Sequence, residues 1–170
     1  MKWTTRAQLH LDRTASAWLI RRFVDADAQF RFAGWDEAVD PADPRSFGMA
    51  GAQLGSHDED GTCFAKVLQR HDLAGDEALV RLEACVNAGV RHALSLPRVP
   101  TEEAVHRIGL SLDSVGIGFS VLHPDDLNHL EAATPLYDAL YTYFQLPDLA
   151  ALELPATQPE RVSYLRSLVG

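Results

Sequence analysis

"WTTRAQLHLDRTASAWLIRRFVDADAQFRF", residues 3–32, decides the fold class. Its first part ends in Leu9-His10-Leu11, apolar and polar in alternation, which reads as a short strand. Asp12 or Thr14 can then cap a helix, because either side chain accepts from free backbone N–H groups. Ala15, Leu19, Ile20, Phe23 and Val24 cover about half of that helix at ~100° per residue and carry it to about Val24. "QFRFAG" (29–34) alternates again, as a second strand. A β-α-β unit opens the chain.

Residues 35–62 concentrate aspartates, glycines and prolines and read as one or two long ordered loops. A loop of that length inside a compact domain is more often functional or mobile than idle. From Cys63 onward the pattern is helical: "CFAKVLQRH", "EALVRLEACVNAGVRHAL", then "TEEAVHRIGLSLDSVG" with Thr101 as its cap, and "GIGFS" (116–120) as a glycine-spaced helix end. Two further helices are expected in "HPDDLNHLEAA" and "TPLYDALYTYF". Each starts at a proline, Pro124 or Pro135, and Thr134 caps the second. The fold class is therefore mixed α/β and helix-rich, a small β-sheet from the N-terminal β-α-β unit covered by several helices. Residues 1–146 read as one domain, and 147–170, with three prolines, as a C-terminal tail.

Composition narrows the function classes. The chain has 170 residues, 46% hydrophobic and 23% charged, as in ordinary soluble domains. Its net charge of −9 repels phosphate backbones, so nucleic acid is not expected as a partner of this chain alone. A small anion in a local arginine pocket remains compatible with it. Cys63 and Cys85 are too few and too far apart for a disulfide framework or a four-cysteine zinc site, and suit a reducing cytoplasm. No apolar leader opens the chain and no run reaches the ~18 apolar residues of a membrane span, so no membrane partner is expected and the compartment reads as cytoplasmic. Glycine-rich dinucleotide, phosphate-loop and Gly-x-Ser-x-Gly motifs are missing, which argues against nucleotide binding and serine hydrolysis.

Three clusters carry potential chemistry. Two apart in a strand, His10 and Asp12 share a face, so one can bind a metal while the other orients it, or both can bind. A helix cap beside an exposed histidine is the plainer reading, and the stronger one on this stretch alone. Arg21 and Arg22 flank Trp18 on the side away from the apolar arc, as a stacked surface pair or as one wall of an anion pocket. "GSHDEDGTC" (55–63) can gather His57, Glu59 and Cys63 around zinc or iron, or can be a solvated loop that leads into a helix with Cys63 buried. In "HPDDLNHL" (123–130), Asp126 and His129 can share a helical face with His123 nearby. Tyr137 and Tyr141 read as core. His71, His92 and His106 have no acidic or cysteine cluster beside them in sequence.

Taken together, these residues resemble the chromate-resistance protein family, in its ChrB-type C-terminal domain. The first block carries His10-x-Asp12-Arg13 and Trp-Leu-Ile-Arg-Arg-Phe (18–23). "GAQLGSHDEDGTCFAKVL" (51–68) is similar in its glycine-rich turn, histidine and cysteine–phenylalanine pattern. "DDLNHLEAATPLYDALYTY" (125–143) is similar to the family's Tyr-Asp-Ala-Leu-Tyr helix. The chain departs from the family at Ser16-Ala17, where Cys-Pro is common, at Ala65, where an acidic residue is usual and for which Glu59 is a substitute, and over 87–104. Full-length relatives carry a further N-terminal region, so a DNA-binding regulatory role is not carried over. The resemblance tips His10–Asp12 towards function, because a cap does not call for that set of residues. It implies a metal-binding domain in oxyanion or metal-stress response, with metal-dependent redox chemistry in reach. On that reading His10, Asp12 and His57 are first-choice ligands of a divalent transition metal (zinc, iron or manganese), with Cys63 and His129 as further candidates. Arg13, Arg21 and Arg22 would hold a small oxyanion beside it. The competing reading is a non-catalytic oxyanion-sensing or interaction module. Assembly into a homo-oligomer stays open.

Overall fold

The computed structural model describes residues 1–169, with only the backbone at Ala150. Gly170, the end of the expected tail, lies outside the described residues. Strands β1 (Lys2–Arg6) and β2 (Gln29–Ala33) pair in parallel, with Lys2 opposite Gln29 and Arg6 opposite Ala33. Parallel pairing requires a crossover, and α1 (Asp12–Leu19) supplies it, so the β-α-β opening holds. The strand stops before His10, however. Gln8 (φ 61°) and Leu11 (φ 33°) leave the β region, so residues 7–11 form a turn rather than a strand with His10 on one face.

On the other side of β1, the Thr4 N–H donates to Arg45 O (3.0 Å) and the Phe47 N–H donates to Thr4 O (3.0 Å). The long loop is thereby tied to the sheet, and it buries Phe47, Met49 and Leu54.

Helix α1 extends to Val24 through a π-helical turn (Ile20–Val24), in which the Asp25 N–H reaches back five residues to Ile20 O at 2.8 Å. Every residue from Thr14 to Ile20 is buried. Trp18 is only 2% exposed, with rings of Phe23, Phe64, Tyr137 and Tyr141 around it, which corrects its expected place on the surface between two arginines. Helix α2 (Cys63–Arg70) packs on one side of α1 and α5 (Asp126–Gln145) on another, so no side of α1 is free to be its polar face.

Helix α3 (Glu77–Ala93) is capped by Asp76, which accepts from the Ala78 and Leu79 N–H groups. Helix α4 (Glu103–Leu122) starts one residue later than a Thr101 cap would place it and runs through Gly116 and Gly118, correcting the helix end expected there. It lies so close to α3 that a Cβ on Gly109 would sit 2.5 Å from Cys85 O, and one on Gly89 would sit 2.5 Å from Gly109 O. Helix α5 is a single helix with Pro135 inside it, not two helices meeting at that proline. An internal proline costs ~3 kcal/mol, but Leu130, Ala133, Tyr137, Tyr141 and Phe144 are buried along its length and outweigh the break. Thr134 does not cap; its hydroxyl donates back to Leu130 O (2.8 Å). In the expected tail, α6 (Gln158–Ser167) has no buried residue. Among the described residues no helix is long and apolar enough to cross a membrane.

Candidate functional site

The turn at 7–11 is fixed from two sides. The Arg13 guanidinium donates to the carbonyls of Arg6 (2.7 Å), Ala7 (3.1 Å) and Gln8 (2.7 Å). The Asp126 carboxylate, at the start of α5, accepts from the N–H groups of Gln8 (2.9 Å) and Leu9 (2.6 Å). These charge-assisted bonds fix residues 6–9 of a turn that carries two non-glycine residues, Gln8 and Leu11, at positive φ, a conformation that costs ~1–2 kcal/mol each. Such strain concentrates at functional sites. Gly48 is required here, because a Cβ at its φ of 58° would come within 2.5 Å of Arg13 Cγ.

The turn presents His10 to α4. Its ring lies over Gly116, where an added Cβ would meet Cδ2 and Nε2 at 3.2 Å. Nε2 is 3.2 Å from Asp113 Oδ1, close enough for an ion pair but not aligned as a hydrogen bond, and neither atom has another partner among the described residues. The other Asp113 oxygen takes His92 Nδ1 at 2.8 Å. One buried carboxylate thus bridges two imidazoles. A carboxylate placed beside a ring nitrogen is the arrangement that orients metal-binding histidines once the contact closes to a hydrogen bond.

Asp12 points elsewhere. Its oxygens accept from the N–H groups of Cys63 (2.8 Å) and Phe64 (3.0 Å), the first turn of α2, with Ser16 Oγ at 3.4 Å. Thr62 caps the same helix by accepting from the Ala65 N–H (3.0 Å). Asp12 is therefore a cap, but of the helix 51 residues away rather than of its own. Burial raises its pKa above the ordinary value more than these N–H groups, Ser16 and nearby His57 lower it. His10, Asp12, Arg13 and His57 line one cavity of about 190 Å³, floored by Leu11, Val90 and Leu94.

The match to the family described as "ChrB, C-terminal domain" covers residues 3–144. The chain belongs to the ChrB C-terminal domain family. It is 34% identical over 148 residues to Protein ChrB of Cupriavidus metallidurans, a match covering 86% of this chain and 41% of that protein. The chain thus spans about two fifths of that relative's length. No solved structure matches.

In this ChrB C-terminal domain the remaining expected residues do not join the cavity. The Cys63 thiol is wholly buried and donates to Leu54 O (3.3 Å), and burial beside Asp12 pushes its pKa well up. His129 is buried on α5 with Nε2 3.4 Å from Thr14 Oγ1, and burial lowers its pKa. Arg21 is bound to Glu131 (2.7 Å) and lies over Phe30; Arg22 is paired with Asp138 (3.2 Å) and lies over Tyr141. Among the described residues no three or more His, Cys, Asp or Glu side chains stand together as a ready metal cluster.

Asp113, His92 and Asp126 are the neighbours of the candidate site that sequence reasoning missed or misplaced. Asp113 had a signal: with Val105, Gly109, Leu112 and Gly116 it falls on the buried face of α4, where a carboxylate needs a partner. Asp113→Asn is expected to change the ring ¹⁵N shifts of His10 and His92, because one of the two carboxylate oxygens facing them becomes an amide nitrogen. It is also expected to cost ~1–3 kcal/mol, because asparagine keeps only one acceptor oxygen for the two rings and turns an amide N–H₂ towards the other. Unchanged His10 shifts would remove Asp113 from the site.

Proposed function

We propose that the domain serves a chromate-resistance role by binding a divalent transition metal (zinc, iron or manganese) in the cavity beside the 7–11 turn. The supporting observation is that two remote segments, the turn with His10 and Asp12 and the long loop with His57, line one cavity. Two imidazoles and a carboxylate suit a borderline ion. As the side chains stand, no three of them converge, so binding is expected to draw the loop carrying His57 towards His10. The Asp113 carboxylate supports the His10 ring from behind.

An oxyanion read by Arg13, Arg21 and Arg22 has less support, because each guanidinium is already bound to carbonyls or carboxylates and Arg21 and Arg22 do not line this cavity. Thiol redox chemistry also has little support. Both cysteines are buried and burial pushes their thiols up, Cys85 to about 12, so neither is present as a reactive thiolate.

The test is calorimetric titration of tag-free protein with zinc, manganese and iron(II). One ion per chain is expected, with affinity falling ~10–100-fold in His10→Ala and in His57→Ala. Arg21→Ala is expected to leave it unchanged. Failure of all three ions to bind stoichiometrically would remove the metal reading. In a chromate-sensitive host, tolerance conferred by the full-length relative should drop when the equivalent of His10 is replaced.

A further inference from the structure

A second cavity, of about 220 Å³, opens where the α3–α4 connection folds back over the end of α3. Ser95 adopts φ 54°, its N–H donates to His92 O (3.0 Å), and the Leu96 N–H donates to Arg91 O (2.8 Å). This is the double hydrogen bond with which a left-handed residue ends a helix and reverses the chain. The reversal brings Leu96 and Val99 over Ala88 and makes an apolar wall.

The charged lining has one sign. Arg91, His92, Arg98 and His106 line the cavity, and no acidic residue does. Glu103 and Asp113 stand outside the lining but pair with Arg98 and His92, so Arg91 is the lining guanidinium bound to a carbonyl and not to a carboxylate. Part of this basic set is held in place by neighbours. Arg91 Nε donates to Pro97 O (2.7 Å), and Arg98 Nη2 donates to Glu103 (2.8 Å). His92 is fixed by Asp113. The guanidiniums keep further N–H groups that these bonds do not use. His106 adds a buried Nδ1 with no hydrogen-bond partner among the described residues, and such an atom calls for a ligand or water.

We propose that this cavity is a separate binding site for a small organic anion, a carboxylate on a compact apolar body. The volume falls below the ~300–1,000 Å³ usual for drug-sized ligands, which limits the body to about a single ring or a short branched chain. The carboxylate meets the N–H groups that Arg91 keeps beyond its Nε bond to Pro97 O, which match its two oxygens. The apolar body covers Ala88, Leu96 and Val99, a surface that a bare inorganic oxyanion would leave wet. The site shares no lining residue with the cavity beside His10, so it stands whether or not that cavity binds a metal.

Benzoate is the probe, with inorganic sulfate as the comparator, and the methyl resonances of Ala88, Leu96 and Val99 are the readout. Benzoate is expected to shift all three saturably, while sulfate at equal concentration leaves them in place. Arg91→Gln removes one donor group, and Leu96→Asp puts a carboxylate on the wall at a position exposed enough to tolerate it. Each is expected to weaken benzoate roughly tenfold or more. Absence of a saturable shift, or wild-type affinity retained in both variants, overturns the site. Sulfate matching benzoate overturns the organic anion.

Discussion

Gly109→Ala is expected to destabilise the domain by ~3 kcal/mol or more, at the upper end of overpacking costs. In an ordinary helix interior the same change is favourable by ~0.5–1 kcal/mol, because alanine loses less backbone freedom on folding. The sign reverses here because the new methyl would sit 2.5 Å from Cys85 O and 2.7 Å from Ala88 Cβ, atoms of α3 that cannot rotate away. Gly89 faces the same contact from the other helix, with Leu11 also 2.8 Å from its would-be Cβ. Separating α3 from α4 would therefore also disturb the turn that carries His10. Gly118, on the same helix as Gly109, has nothing within 4 Å of an added Cβ. Gly118→Ala is the matched control and is expected to stabilise by ~0.5–1 kcal/mol. Urea denaturation of both variants decides the matter. If Gly109→Ala is as stable as the parent, the two backbones do not touch.

That contact also marks how far the sequence could be read. Local signals were sufficient for the order of the opening β-α-β unit, although the alternation at Leu9-His10-Leu11 belongs to the turn after β1 and not to the strand. They were sufficient for Tyr137 and Tyr141 as core, since four-residue spacing puts them on one buried stripe. They failed where the partner is remote. Gly116 was read as part of a helix end and Gly109 carried no local signal, but Gly109 admits α3 and Gly116 admits the His10 ring. Trp18 was placed on the polar side of α1 because periodicity presumes one wet face, and α2 with α5 leaves none. Pro135 looked like a helix start because local propensity disfavours it inside a helix, yet burial along α5 decides otherwise.

The candidate site divides in the same way. His10, Asp12, Arg13 and His57 were nameable as residues with chemistry, and they do share a cavity. Their working partners were not nameable, because Asp113 stands 103 positions from His10 and the N–H groups that Asp12 satisfies stand 51 and 52 positions on. The arginines show the converse. Adjacent in sequence on α1, Arg21 and Arg22 look like a pocket until α5 supplies Glu131 and Asp138 to neutralise them.

Asp12→Ala should cost about 2–4 kcal/mol, because two backbone N–H groups at the start of α2 would lose their acceptor where only the small cavity admits water. That exceeds the ~1 kcal/mol of an ordinary exposed cap. Asp12→Asn sharpens the test, since it keeps an acceptor oxygen and removes the charge. Burial holds the carboxyl pKa above its ordinary 3.8 despite the N–H groups of Cys63 and Phe64. Ionisation is then harder in the folded chain than in the unfolded one. The contribution of Asp12 to stability is fully present below the unfolded pKa and declines as pH rises through the folded value. Asparagine does not titrate, so the deficit of Asp12→Asn is expected to be largest near pH ~4 and to shrink towards neutrality. Glu83 acts in the same direction: burial raises its pKa, Asp12 raises it further, and removing the Asp12 charge relaxes that second part. Urea melts of wild type and Asp12→Asn between pH ~4 and ~7 measure the difference directly. A deficit that instead grows with pH would mean that the start of α2 stabilises the carboxylate more than burial penalises it, and Asp12 would then be a helix cap with no strain left for a metal to relieve.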